Sequence, residues 1–278
     1  MYDGGELTSA NDVLWDAIAR RLRAFGIRDV PPALDRDHPL EEVWSSGRLL
    51  FGQVCGYPFA RRFRDRLRVL GAPHYAVPGC VRGRHRSYVV VHARSGVRDL
   101  GSLQGTRAVV NDVESMTGRH LLGDAVYDSS EARPFFAGVE LSGSHAQSLA
   151  MVANGVADVA AIDCVSYAHL SRAAPEIVRD TRILFRTIST PTLPFVISTE
   201  CGEVAASLVA RALAEAFDDP RTKDARRTLR LVRVRRVRPD IYDATLAVAA
   251  RADHVFGGPH YARKSRRRST AKHDGASM

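Results

Sequence analysis

The chain has 278 residues, 45% of them apolar and 26% charged, with a formal net charge of +9. These values are those of a soluble globular protein with enough chain for two lobes of ordinary domain size. No stretch approaches the roughly 18 consecutive apolar residues that a membrane-spanning helix needs.

The charge is uneven: residues 221–272 carry 16 Lys and Arg against 4 Asp and Glu, a local +12 that leaves the remainder at −3. The run Arg263-Lys264-Ser265-Arg266-Arg267-Arg268 sits among Ser and Gly with few apolar residues. A solvated, disordered basic tail over 261–278 is therefore expected, and nucleic acid is not the expected partner. If the tail did bind DNA, the binding would be steeply salt-dependent and would vanish on its removal. The opening residues Met1-Tyr2-Asp3-Gly4-Gly5-Glu6 have neither a basic nor an apolar leader region. As given, the chain is expected in the cytoplasm; if the true start lies upstream, the periplasm or cell surface is expected instead.

The spacing of Val13, Leu14, Ala17, Ile18, Leu22 and Phe25 predicts an amphipathic helix over 12–25, with Gly26 closing it. A short buried strand follows at 48–54 and breaks at Cys55-Gly56-Tyr57-Pro58, where Pro58 suits a helical first turn. Leu67–Leu70 and Tyr88–Ala93 read as further strands. From there strands at 107–111, 137–141, 156–162 and 182–187 alternate with helices at 116–127, 145–154 and 164–173. Such alternation implies βαβ units and a mostly parallel sheet. Leu193–Ser198 is a late strand, and helices dominate after Gly202. The segment 85–191 makes one lobe, residues 1–84 and 192–260 the other, and two crossing strands form a hinge. Ligands of such an architecture sit between the lobes.

Two strand-to-helix turns carry the chemistry. In Val109-Val110-Asn111-Asp112-Val113-Glu114-Ser115-Met116-Thr117-Gly118, an apolar strand runs through a polar turn into a helix. Val139-Glu140-Leu141-Ser142-Gly143-Ser144-His145 repeats the scheme. Backbone N–H groups at converging helix starts, with hydroxyls beside them, suit an oxyanion. Ser115 and Thr117 are candidate contacts, although both residue types also serve as plain N-caps. His145 at a helix start is expected to be a neutral donor. Asp163 near an oxyanion either accepts a proton from the ligand, pairs with a cation, or caps the next helix. Tyr57 and Tyr2 are contact candidates or packing residues.

Cys55, Cys80, Cys164 and Cys201 lack zinc-site spacing. Cys55 and Cys80 would form a disulfide only in an exported protein. No P-loop, Rossmann glycine pattern, nucleophile elbow or HExxH is present, and no cofactor or metal is expected.

Asp99-Leu100, Leu103, Gly105, Val110-Asn111-Asp112, Ser115 and Gly118, with Gly143-Ser144-His145 and Gly155–Asp163, form a pattern over roughly residues 1–220. It resembles the phosphate/phosphite/phosphonate substrate-binding proteins of ABC transporters. The resemblance implies an α/β, two-lobed type 2 periplasmic-binding-protein fold, each lobe a mostly parallel sheet flanked by helices, with a two-strand hinge. It implies a monomer that captures a small anionic or polar ligand and delivers it to an ABC-transporter permease. Its ligand contacts fall on Ser115, Met116 (where a hydroxyl residue is usual), Thr117, His145 and Asp163. His85 stands where an aromatic residue is expected, Ser87 matches the hinge-strand serine, and Tyr57 shields the cleft. The loop Thr190-Pro191-Thr192-Leu193-Pro194 lacks the carboxylate that grips an aminoalkylphosphonate. Met1-Tyr2-Asp3 matches the end of the usual first strand, so a start upstream is expected. The rival reading is a cytosolic, lyase-like enzyme of cofactor biosynthesis on the same fold, with His145 and Asp163 as acid and base.

Overall fold

The computed structural model describes residues 2–258; the basic tail proposed from the sequence lies outside the described residues. The first half supplies α1 (Glu6–Ala24), α2 (Leu40–Ser45), β1 (Gly52–Gln53), α3 (Gly56–Pro58), β2 (Leu67–Tyr75), β3 (Arg84–His85), β4 (Ser87–His92) and β5 (Arg107–Val110). Next come α4 (Leu121–Val126), β6 (Gly138–Leu141), α5 (His145–Ala153), β7 (Val159–Asp163), α6 (Cys164–Ala173), α7 (Pro175–Arg179) and β8 (Thr181–Arg186). The chain ends through β9 (Thr190–Pro191), β10 (Phe195–Ser198), α8 (Gly202–Asp218), α9 (Lys223–Thr228), β11 (Leu231–Arg235) and α10 (Ala244–Phe256).

Two sheets organise these elements. The second-lobe sheet has the order β6-β5-β7-β4-β8, with β5 parallel to both β6 and β7, and β4 the reversed strand between β7 and β8. The alternation of β4 explains its central place: Val89 and Val91 face one core, while Val90 faces the other. The first-lobe sheet has the order β1-β10-β2-β11, and its pairings are antiparallel, unlike the mostly parallel sheet expected of each lobe. There β10, returning from the other lobe, inserts between two strands that run opposite to it. The strand expected over 48–54 forms regular pairs only at Gly52 and Gln53, although the Ser198 N–H still reaches the Leu49 carbonyl at 2.7 Å.

Between the sheets the chain crosses twice, at β3 and β9, which pair antiparallel with His85 opposite Thr190. This is the two-strand hinge. One apolar core runs from Ile18 and Leu22 of α1 through Tyr75 and Tyr88 to Val109, Ile162 and Val165 of the second lobe.

The C-terminal helix departs from the expected boundary. The sequence places residues 192–260 in the first lobe, yet Ala252, Val255 and Phe256 of α10 pack with Val89, Val110 and Leu122. Gly123 permits this crossing, because a Cβ there would lie 2.7 Å from the Ala252 Cα. Helix periodicity shows that α10 has a buried face but not which sheet covers it.

Candidate functional site

Three second-lobe segments end at one place. Ser115 caps the helical turn Met116–His120, its Oγ accepting the Gly118 N–H at 3.0 Å. Ser144 caps α5, accepting the Gln147 N–H at 3.1 Å and setting His145 as the first helical residue. Asp163 ends β7 and caps α6, its Oδ1 accepting the N–H groups of Val165 and Ser166 at 2.8 and 3.1 Å. Helix N-termini leave unpaired N–H groups and a partial positive charge, so convergence of these ends makes an anion-attracting spot.

The expected meeting of the first two segments is present: Thr117 Oγ1 lies 3.0 Å from His145 Nε2. The second ring nitrogen of His145, Nδ1, is enclosed near the Ala161 backbone without an aligned hydrogen bond. Burial holds the His145 pKa below its ordinary value, aided by His85 and opposed by the Asp163 charge. The sequence expected a neutral ring from the helix dipole; the stronger cause is loss of water.

His85, on hinge strand β3, brings Nδ1 to 2.7 Å from Asp163 Oδ2, and both side chains are buried. The contact lacks hydrogen-bond alignment, so Oδ2 retains accepting capacity. Burial by itself would raise the Asp163 carboxyl, but the His85 charge and contact, then His145, bring it down to about 2. Asp163 is thus a carboxylate at neutral pH, both capping a helix and facing the His85 ring.

The remaining sequence candidates fall in different places. Ser87 is fully buried and its hydroxyl donates to the Thr117 carbonyl at 2.8 Å, so it holds the turn in position. Met116 is buried with Tyr57, Leu121, Val248 and Ala249 in a small cluster between the lobes. The Tyr57 ring lies 4.2 Å from the His120 ring, tilted by 58°, and its hydroxyl accepts a hydrogen bond from Arg61 Nη1 at 3.2 Å. The turn thereby packs on its own lobe-bridging cluster, with Tyr57 clasped from the first lobe. Tyr2 meets Tyr75 edge-on at 5.3 Å, and its enclosed hydroxyl has no partner. Burial first, and the Asp163 charge second, raise the Tyr2 pKa well above normal, so it remains a neutral donor.

Two further groups at this place were not singled out by sequence. Thr190, opposite His85 in the hinge pair, has a buried hydroxyl without a partner. The sequence signal for it is the hydroxyl-bearing run Thr190-Pro191-Thr192. Cys55 places its thiol by the backbone N–H groups of Met116 and Tyr57, where two helical turns from opposite lobes meet; burial raises its pKa against these contacts. The Cys55–Cys80 pairing weighed from sequence is not the one formed by proximity, since Cys80 faces Cys164 instead.

A cavity of about 580 Å3 lies elsewhere, under residues 31–53 of the first lobe, with Trp15, Leu34, Trp44 and Phe51 in its wall. It has room but no convergent set of enclosed, unpaired polar atoms. The polar cluster has that set and is closed over, as a hinged cleft in its shut form would be. Unpaired buried polar groups are costly, each by about 1–3 kcal/mol, so the cluster is the candidate site that its chemistry singles out.

Residues 56–242, more than half the chain, match the family model described as ABC transporter, phosphonate, periplasmic substrate-binding protein. No curated protein sequence matches. Among solved structures, PhnD1 from Prochlorococcus marinus in complex with methylphosphonate is similar, with TM-score 0.70 and 13% identity over 91% of this chain and 96% of that one. XAC2383 from Xanthomonas citri bound to ATP has TM-score 0.68 and 20% identity, covering 89% of this chain and 95% of its own. The binding-protein component PA3383 of an ABC phosphonate transporter from Pseudomonas aeruginosa has TM-score 0.65 and 15% identity over 88% and 84%. At these identities the structural likenesses speak to the fold.

Proposed function

The chain belongs to the family of periplasmic substrate-binding proteins of phosphonate ABC transporters, and from that premise we propose that it captures a small phosphorus oxyanion between its lobes. Thr117, His145 and the N–H groups at the starts of Met116–His120 and α5 bind the oxygens. Tyr2, Thr190 and Cys55 border the same space from the hinge and the first lobe. The observation that carries this reading is the 3.0 Å contact of Thr117 Oγ1 with His145 Nε2 across two helix starts, beside the enclosed, partnerless Tyr2 hydroxyl.

Asp163 narrows the class of ligand. A carboxylate next to a bound anion is repulsive unless the ligand places a proton between them. Phosphate, phosphite and alkylphosphonates carry a P–OH able to donate to Asp163 Oδ2; a sulfonate at neutral pH carries no such proton. The site therefore prefers a hydrogen phosphonate to a sulfonate of the same size. The protein acts as a monomer in the periplasm and passes its ligand, chemically unchanged, to a membrane permease.

Calorimetry and thermal shift with phosphate, phosphite, methylphosphonate and methanesulfonate test the reading. At least one phosphorus oxyanion binds and raises Tm, methanesulfonate binds at least tenfold more weakly, and Thr117→Ala and His145→Ala each lose binding at least tenfold. Stabilisation that survives both substitutions moves the site elsewhere. Conversion of the ligand, followed by phosphorus NMR, would replace capture by catalysis.

A further inference from the structure

We propose that Cys80 and Cys164 form a disulfide that staples the loop entering the hinge to the first turn of α6. Their Sγ atoms lie 3.6 Å apart, and all four cysteines are free thiols. A disulfide needs about 2.05 Å between sulfurs, so the gap closes by about 1.5 Å, within reach of small side-chain rotations.

The loop between β2 and β3 is built to hold the pair there. The Tyr88 hydroxyl donates to the Pro78 carbonyl at 2.7 Å, and the Cys80 N–H donates to the Val77 carbonyl at 3.1 Å. Gly79 sits at φ +93 between these anchors. A Cβ there would lie 2.9 Å from both Cys164 Cβ and the Tyr88 hydroxyl, so only glycine lets the loop backbone rest on Cys164. Cys164 is fully buried, whereas Cys80 is partly exposed. An oxidant therefore meets Cys80 first, and Cys164 is placed to resolve.

The chemistry balances with a small disulfide such as oxidised glutathione as co-reactant. Cys80 loses its proton and attacks one sulfur of the oxidant; that S–S bond breaks, and one thiol leaves with the proton. Cys164 then gives up its proton and attacks the Cys80 sulfur, releasing the second thiol. Two protein thiols are oxidised while one small disulfide is reduced to two thiols. The Cys164 contact, burial and the Asp163 charge together hold the Cys80 thiol protonated, so an uncatalysed oxidant reacts slowly.

The bond has a mechanical consequence. Cys80 precedes the crossing strand β3 on the first-lobe side, whereas Cys164 follows Asp163 in the second lobe. The link spans the hinge beside the His85–Asp163 pair and restrains opening. That restraint rests on the hinged-cleft reading; formation of the bond does not.

The full chain, reduced and then incubated with oxidised glutathione, is alkylated and digested without reductant for mass spectrometry. A peptide pair joined through Cys80 and Cys164, two hydrogens lighter than its reduced parts, is expected, with Cys55 and Cys201 alkylated. Cys80→Ser and Cys164→Ala each remove it. Alkylation of both residues after oxidation, a lasting glutathione adduct on Cys80, or a Cys80–Cys55 link overturns the proposal. Small-angle scattering of the ligand-free forms gives the second readout: the oxidised protein has the smaller radius of gyration. Equal radii overturn the restraint and leave the bond and the ligand reading standing.

Discussion

The two lobes are stabilised differently at the faces they turn to each other. In the second lobe, β5 and β7 run parallel and deliver Ser115 and Asp163 to helix starts, with Ser144 capping α5 beside them, so that end is polar and carries helix N–H groups. In the first lobe the antiparallel strands deliver aromatic side chains: Tyr75 beside Tyr2, and Phe195 stacked on Phe51 at 5.1 Å. One lobe supplies dipoles and donors, the other largely shape. The lesson is that parallel strand ends with capped helices concentrate binding chemistry on one side of a hinge. The other side is then free to vary in how it covers that chemistry.

The largest effect should come from the residue that anchors the polar side. Asp163→Ala removes an acceptor from two N–H groups and leaves the buried His85 ring without its partner, at about 1–3 kcal/mol for each buried polar group so stranded. Asp163→Asn keeps a cap acceptor and should recover part of that loss in urea unfolding. Equal stability of Asp163→Ala and the parent would mean that the cluster is structurally idle. The same pair sets an acid limit: with its folded pKa lowered to about 2, Asp163 contributes stability above its unfolded value of 3.8 that is lost as pH falls toward 2.

Next in size is the helix that ties the C-terminus to the polar lobe. Gly123→Ala forces a methyl against the Ala252 backbone, which should cost about 1–3 kcal/mol as an overpacked contact. Ordinary helix propensity would predict a gain of about 1 kcal/mol, so the sign of the Tm change decides between the two. Ligand affinity should fall along with stability, because Val248 and Ala249 of α10 pack on Met116 of the turn that faces the ligand.

Acid should weaken the protein through His120 before it touches Asp163. Burial, then Arg119 and Arg61, lower His120 to about 3 from 6.5. The unfolded chain therefore binds a proton that the folded one refuses, and stability falls as pH drops from 6.5 toward 3. The first unit below 6.5 costs about 1 kcal/mol, and each further unit down to about 4 costs about 1.4 kcal/mol, read as a falling urea midpoint. His145 and His169 shift the same way and steepen the profile. His120→Gln should flatten it; an unchanged slope would assign the effect to the other two rings.

Legibility in the sequence divided along the same line as the lobes. The second-lobe strands and helices were readable because each carries a full period: Val89 to Val91 alternate, and Ser115, Ser144 and Asp163 stand at cap positions. Thr117 and His145 were readable as neighbours because strand-turn-helix geometry places such residues at one sheet end. The first lobe was harder. β1 is two residues long, the span 27–39 contains no regular element, and antiparallel insertion of β10 leaves no local mark. The Cys80–Cys164 approach depends on a loop folding onto α6 over 84 positions, which no periodic pattern records. Ser87 illustrates the limit at the site itself, since a hydroxyl in the expected position turned out to hold the Thr117 carbonyl rather than face the cleft.

The smallest expected effect probes the seam between the lobes. Arg62 and Arg61 of the first lobe reach Glu114 in the second at 2.6 and 3.2 Å. Glu114 precedes the Met116–His120 turn, so these pairs clamp the cleft mouth beside the helix start that Ser115 caps. All three side chains are partly exposed, and such pairs contribute about 0–1 kcal/mol. Glu114→Gln should therefore barely move the urea midpoint, by less than 1 kcal/mol. It should nevertheless favour the open form, because the pairs exist only when the lobes meet. Ligand dissociation should then be up to fivefold faster in the variant at low salt. The difference should shrink as salt screens the parent's pairs. A salt-independent change would trace instead to a shifted turn at Ser115. An unchanged dissociation rate at low salt would show that the buried polar cluster, and not the rim, holds the lobes shut.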